Sequence, residues 1–289
     1  MYKYSNYLTV TLRMKKISLF LLVVLILISN FVYAETVDEY LLIAQQYFNE
    51  SRFQELAVIL EEAIKFYPDK AILHVALGSA YFHLYDYNKS LSLFTHAIEL
   101  DKMAAETYNM RAGVYEFLKD YKKAIDDINM TVLLEPENGD RYNDRAVFLS
   151  KILGEHDKAI NDYNEAIRLN SKELNYFVNR GVSFFHLERH AEAMEDFDTA
   201  IRLDNNDSRG YFNRGFLNTL LKRYNEAVLD FTEVIRIDPN NSDAFFNRAV
   251  AYKYLSNLTD DPLLVLFYRN KAMEDEAASE KLDSRRDKQ

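Results

Sequence analysis

One aromatic position returns along this chain at an almost constant interval. Tyr40, His74, Tyr108, Tyr142, Phe177, Tyr211 and Phe245 are separated by 34, 34, 34, 35, 34 and 34 residues. Four residues after each stands a small one: Ala44, Gly78, Ala112, Ala146, Gly181, Gly215 and Ala249. Three further on come Tyr47, Tyr81, Tyr115, Leu149, Phe184, Asn218 and Tyr252. A second block follows, with Leu56, Ser90, Ala124, Ala159, Ala193 and Ala227, and then Ala63, Ala97, Thr131, Ala166, Ala200 and Val234. Within each block apolar residues recur three and four apart, so each block predicts an amphipathic helix. Large residues facing small ones let two such helices cross closely. One hairpin cannot bury both its faces, so each unit must stack on the next. Composition agrees: 7 Gly and 4 Pro against 21 Tyr and 19 Phe leave few helix breakers and ample core.

The order of these residues, with Pro68, Pro136 and Pro239 at unit ends, resembles the tetratricopeptide repeat (TPR) over residues 37–283. The resemblance implies an all-α, right-handed α-solenoid with a concave face lined by the first helix of each unit. Seven units are expected, at about 37–70, 71–104, 105–138, 139–173, 174–207, 208–241 and 242–283. The last is irregular: 11 extra residues, including the run Leu263–Tyr268, separate its two blocks. Asp261-Pro262 reads as the N-cap and first position of an elongated second helix. Glu276 and Ser279 replace the apolar residues that a further unit would pack on, as a terminal cap requires. Residues 284–289 read as a polar tail.

Residues 1–34 differ from the rest. They carry four basic residues and no acidic one, with Lys15-Lys16 ahead of an apolar run from Ile17 to Ile28 and Val32 and Ala34 at a small-residue cut site. This is the order of a secretory signal peptide, with Met14 as an alternative start. The rival reading is an uncleaved anchor over residues 17–34, at the short limit for a bilayer span. Export to the periplasm or beyond follows from the first reading, inner-membrane anchoring from the second. Removing residues 1–34 takes the net charge from −10 to −14. That balance opposes nucleic acid and anionic membrane surfaces and would attract a basic partner. Cysteine is absent, which excludes disulfides, thiol catalysis and zinc–thiolate sites.

Two columns co-vary within the chain. The first-helix column reads Ile43, Leu77, Arg111, Arg145, Arg180, Arg214, Arg248, and the second-helix column reads Ile59, Leu93, Asp127, Asp162, Asp196, Asp230, Asp275. Arg occurs where Asp occurs, and apolar where apolar. An Arg–Asp contact between the two helices of one unit is therefore expected. A further set, Asn109, Asn143, Asn179, Asn213 and Asn247, lies on first helices. The resemblance implies that such residues can grip the backbone of an extended peptide, although each could instead bond local backbone. Phe82, Phe185, Phe212 and Phe246, with Phe117, Phe216 and Tyr254 beside them, offer apolar pockets along the same columns. The cationic clamp by which some relatives hold acidic tails is not matched, since Val75, Ser79 and Val147 occupy its columns.

His186 and His190 have metal-pair spacing, but His190 stands in a column with Phe53, Tyr87, Tyr121 and Tyr224 and reads as packing. No phosphate loop or nucleophile elbow is found. Neither a cofactor nor a metal is expected, and the chain does not read as an enzyme. The expected function is a scaffold or adaptor that holds a protein or peptide in its groove outside the cytoplasm. The alternative is a homo-oligomeric or membrane-anchored assembly component that uses Leu263, Leu264 and Phe267. The apolar run around them would either fold back to seal the last unit or stand as an exposed patch.

Overall fold

The structure is a computed structural model that describes residues 36–286, and every regular element in that range is helical. The signal peptide, its alternative start Met14 and the anchor reading fall on residues outside that range. The chain divides between Lys102 and Met103 into two compact units. The first holds helices α1 (Val37–Asn49), α2 (Phe53–Phe66), α3 (Ala71–His83) and α4 (Tyr87–Leu100). The second holds α5 (Ala105–Phe117), α6 (Tyr121–Leu134), α7 (Gly139–Val147), α8 (His156–Leu169), α9 (Leu174–His186), α10 (His190–Leu203), α11 (Ser208–Leu220), α12 (Tyr224–Ile237), α13 (Ser242–Leu258) and α14 (Pro262–Arg286). Odd-numbered helices are the first helices of the repeats and even-numbered ones the second. The division coincides with the switch from apolar pairs (Ile43/Ile59, Leu77/Leu93) to Arg–Asp pairs.

Starts and stops follow local chemistry. Thr36 and Glu39 form a reciprocal capping box at α1. Asp86, Asp120, Asn138, Asp207, Asn241 and Asp261 cap α4, α6, α7, α11, α13 and α14 by accepting backbone N–H groups. The first helices before α13 end in a shared Schellman-type turn. In α3 the Asp86 N–H reaches back to the Tyr81 carbonyl at 2.9 Å and the Tyr85 N–H to Phe82 at 3.0 Å. The turn residue is left-handed, and it is Ser51, Tyr85, Lys119, Glu188 or Lys222, with φ between 56° and 63°, where glycine would be expected. Only in the fourth repeat is it a glycine, Gly154 (φ 69°).

That repeat also carries the single extra residue of the 35-residue interval. A π-helical turn, Phe148–Ile152, continues α7 and absorbs it. The Leu153 N–H bonds the Phe148 carbonyl at 3.3 Å, and the Glu155 N–H then recovers Leu149 at 2.8 Å. The bulge sends Ser150 inward, where its hydroxyl meets the Tyr163 hydroxyl at 3.3 Å. Burial pushes the Tyr163 phenol up to about 12.

Large residues of second helices fill the space opposite small residues of first helices. Phe94, Tyr163, Phe197 and Phe231 are essentially fully buried. A Cβ at position 181 would lie 2.6 Å from the Phe197 ring, so glycine there is what lets the ring in. Rings also stack from α2, α8 and α12 onto the next first helix: Phe53 on His83 at 4.3 Å, His156 on His186 at 4.6 Å and Tyr224 on Tyr254 at 4.7 Å. The column containing His190 is thus a packing column, and His186 faces His156 rather than forming a ligand pair with His190.

The last repeat departs from the others. Its first helix has 17 residues against 13 in α9 and α11, and α14 has 25. As expected, α14 starts at Pro262, with the Asp261 carboxylate accepting the Leu263 N–H at 2.8 Å. The expected sealing by Leu263–Tyr268 is met only by the half-buried Val265 and Tyr268, the latter stacked on Tyr252 at 6.1 Å. Leu263, Leu264, Leu266 and Phe267 are 77, 42, 58 and 50% exposed. The cap reading of Ser279 is corrected: it is buried within its own repeat and donates to the Ser242 carbonyl at 3.1 Å. Glu276 pairs with Lys253 of α13. Ser284, placed in a tail by composition, continues α14 as far as Arg286.

The left-handed turns make a direct prediction. A side chain in that region costs about 1–2 kcal/mol relative to glycine, partly offset by the greater unfolded-state entropy of glycine. Lys119→Gly and Glu188→Gly should each raise stability by about 0.5–1 kcal/mol, and Gly154→Ala should lower it by about 1 kcal/mol, read from urea unfolding midpoints.

Candidate functional site

The Arg–Asp pairs set the frame on which the inner face is built. In each repeat of the second unit an arginine of the first helix forks onto the aspartate of its own second helix. The Nε and Nη2 distances are 2.8 and 2.8 Å for Arg111–Asp127, 2.7 and 2.7 Å for Arg145–Asp162, and 2.9 and 2.7 Å for Arg180–Asp196. Arg214 meets Asp230 at 2.6–3.2 Å, and Arg248 meets Asp275 at 2.8 and 2.7 Å across the 11-residue insertion. The same-unit pairing expected from co-variation is what the structure contains. Each guanidinium also lies 5.7–5.8 Å from the aromatic ring three residues before it, a cation–π distance.

A third guanidinium donor was not anticipated from the sequence. Nη1 of Arg145, Arg180, Arg214 and Arg248 reaches Asn129, Asn164, Asp198 and Thr232 of the preceding second helix, at 3.1, 2.6, 2.6 and 3.0 Å. Each acceptor stands two residues after an aspartate of the ladder, a polar column that could have been noticed. One arginine therefore joins the two helices of its repeat and the repeat before it. The forks hold Arg111 and Arg145 above the ordinary guanidinium range through the bonds to their carboxylates. Burial raises the Asp196 and Asp230 carboxyls, with Arg180 and Arg214 pulling the other way.

First helices meet along the inner face through a second polar set. Arg141 bonds Glu106 at 3.0 Å, the Tyr176 hydroxyl donates to Asp140 at 2.6 Å, and Arg209 donates to Asn175 at 2.5 Å. The amide of Asn179 donates to Asn143 at 3.0 Å, so two of the asparagines singled out from the sequence join each other across repeats. Asn213 and Asn247 each donate one N–H to a carbonyl of their own helix, at Arg209 (2.8 Å) and Asp243 (2.7 Å). Asn109 is half-buried on α5.

The aromatics divide by position. Phe82 belongs to the first unit and packs edge-on to Tyr87 at 5.7 Å. Phe185 is half-buried with its ring edge-on to Phe216 at 5.7 Å, and Phe212 is half-buried on Phe231 at 5.8 Å. Phe246 is 54% exposed, Phe216 47% and Tyr254 47%. Leu220, 53% exposed, extends the same surface; its column holds rings at Phe117 and Tyr254, and it was passed over because it is itself aliphatic. The inner face of the second unit is thus graded. Glu106, Asp140 and Asp144 lie on α5 and α7, while apolar side chains dominate α11 and α13. Burial raises the Asp144 carboxyl, with Arg141 opposing it.

The second unit also holds two shallow clefts of about 480 and 510 Å³. One is lined by the α6–α7 turn and Tyr176, the other by Asn129, Arg145, Lys158 and Asp162. Among the described residues no three His, Asp or Glu side chains converge as metal ligands, and no helix is long and apolar enough to cross a membrane.

Two predictions follow from this frame. Arg180→Leu leaves the buried Asp196 unpaired and should cost about 3 kcal/mol, while Arg180→Leu with Asp196→Leu, the arrangement of the second repeat, should recover most of it in a urea-unfolding double-mutant cycle. Burial, reinforced by the stacked His186, lowers the His156 pKa, so the unfolded chain takes up that proton more readily. Stability should therefore fall as pH drops through the ordinary histidine range near ~6.5. His156→Tyr, which supplies the ring found elsewhere in that column, should flatten this part of a Tm profile between about pH 7.5 and 5.5.

Residues 105–138 and 208–241 match one tetratricopeptide repeat model, and residues 153–208 match another. Heat shock protein STI1 of Saccharomyces cerevisiae is 34% identical over 95 residues, 32% of this chain and 16% of that protein. The chain spans less than a fifth of the length of the curated relatives it matches. A tetratricopeptide repeat protein from Parabacteroides merdae superposes with a TM-score of 0.61 at 15% identity, over 82% of this chain and 98% of that one. YrrB, described as a TPR protein with an unusual peptide-binding site, superposes with a TM-score of 0.50 at 22% identity, over 64% and 95%. Residues 105–138 and 153–241 thus match tetratricopeptide repeat models, and the solved structures share the fold.

Proposed function

We propose that this chain is a non-catalytic scaffold that binds a polypeptide along the inner face of α5, α7, α9, α11 and α13, and that it does so outside the cytoplasm. Tetratricopeptide repeat proteins generally mediate protein–protein interaction. The observation that carries the groove reading is the exposure of Phe216, Leu220, Phe246 and Tyr254 on one face, although the repeat core already has its own aromatics. Asn213 and Asn247 supply the complementary chemistry. Each spends one amide N–H on its own helix and keeps a second N–H and a carbonyl oxygen for a peptide backbone. The acids Glu106, Asp140 and Asp144 favour a basic stretch in the ligand. The extracytoplasmic placement rests on the order of residues in 1–34, and the peptide-binding description of YrrB is consistent with the groove.

The test is site-specific photocrosslinking in cells, with the crosslinker at position 216 or 246 and, as control, at Lys158 on α8. Crosslinks to a defined polypeptide are expected from the two inner positions and not from 158. Phe216→Glu with Phe246→Glu should then weaken binding of that polypeptide at least ~10-fold at unchanged Tm, since both rings are exposed. Equal crosslinking from position 158, or unchanged binding in the double variant, would remove the groove from the mechanism.

A further inference from the structure

We infer that the overhanging end of the last hairpin is an isologous dimer interface, occupied by the same hairpin of a second copy of this chain. Three observations carry this. First, α14 is apolar on all sides through Leu263–Tyr268, but only Val265 and Tyr268 turn toward α13. Leu263, Leu266 and Phe267 recur at helical spacing on the opposite face, with Leu264 beside them and Leu258 (71% exposed) at the end of α13. A helix apolar all round is stable in water only when its outer side is covered.

Second, the area is of the right order. The exposed parts of these five side chains amount to roughly 500 Å², at the upper end of what a soluble monomer leaves open. With their polar surround they approach the ~800 Å² that each partner gives to a standard interface.

Third, the charges are self-complementary. In a two-fold arrangement residue i meets residue j and j meets i. An antiparallel pair of α14 helices with its dyad near Val265 sets Leu263 against Phe267 and Leu264 against Leu266. It also sets Arg269 against Asp261 and Asp260. Arg269 and Asp260 are exposed and form no ion pair among the described residues, and Asp261 uses its carboxylate to cap α14, where one oxygen accepts Leu263 N–H. A parallel pairing would set like charges together.

The absence of cysteine permits a direct test on the full chain. Its mass is measured by light scattering at tens of micromolar, together with two kinds of variant. Two chains per particle are expected for the wild type and one for Leu263→Glu with Phe267→Glu, with unchanged helicity, because both side chains are exposed in the single chain. Leu266→Cys, near the dyad, should give a covalent dimer under mild oxidation, and Met273→Cys, exposed but off the strip, should not. Arg269→Glu should weaken the dimer at high and low salt differently, the loss being greater at low salt. A monomeric wild type, a dimer that survives the Glu variant, or equal crosslinking at position 273 would overturn the inference. So would a monomer that floats with neutral phospholipid vesicles through Leu263 and Phe267, which would assign the strip to lipid.

Discussion

The fork between Arg and Asp is the interaction on which the second unit depends. An apolar contact between two helices tolerates sliding and rotation, because dispersion has little direction. A guanidinium meeting a carboxylate with two N–H groups does not, because both bonds hold only in one plane and at one separation. Repeated from Arg111 to Arg248, the fork gives five hairpins one crossing geometry. Its third donor then ties each of the last four hairpins to the one before it. Energy is a different matter. Leu77 and Leu93 fill the same positions in the second repeat, and buried pairs often do no better than apolar ones in net stability. Burial of rings such as Phe197 and Phe231 against small residues supplies the favourable free energy, and the forks decide how the repeats register.

Constraint on one side of each hairpin leaves strain on the other. The first helices before α13 must reverse within a few residues to bring their second helices back, and each turn does so with one left-handed residue. Lysine, glutamate, serine and tyrosine accept that conformation here because the surrounding hydrogen bonds over-determine it. The fourth repeat solves the same problem with one residue more. Its π turn shifts the phase of α7 locally, so that the forks on either side, Arg145 and Arg180, keep their geometry despite the insertion. The inserted residue is absorbed in the helix rather than in the loop, and Gly154 relaxes the turn that follows.

The surface left over after these demands is uneven. Inward-facing polar groups of α5, α7 and α9 largely satisfy one another, through Arg141–Glu106, Tyr176–Asp140 and Asn179–Asn143. On α11 and α13 Phe216, Leu220, Phe246 and Tyr254 face solvent instead. A ligand would thus meet directional, acidic chemistry at one end and apolar pockets at the other. The last hairpin carries a different apolar strip, on a helix that outgrows the repeat. The two surfaces differ in what made them: the first substitutes side chains within repeat columns, and the second adds residues that no column accounts for.

The sequence by itself determined the repeat, the two helices of each unit, the small-to-large packing and the pairing of each Arg with its own Asp. All of these are written in residue spacing or in co-variation, because a helix converts spacing of three and four into a shared face. Only the tertiary structure decided the rest. The third donors of Arg145, Arg180, Arg214 and Arg248 and the Tyr176–Asp140 and Asn179–Asn143 contacts join residues 16 or 36 positions apart in neighbouring repeats, a meeting that no local pattern encodes. The left-handed turns were illegible because their residue types carry no signal for that backbone. The roles of the asparagines and of Leu263–Tyr268 turned on exposure. Spacing assigns a residue to a face, but whether that face is covered depends on what the rest of the chain brings against it.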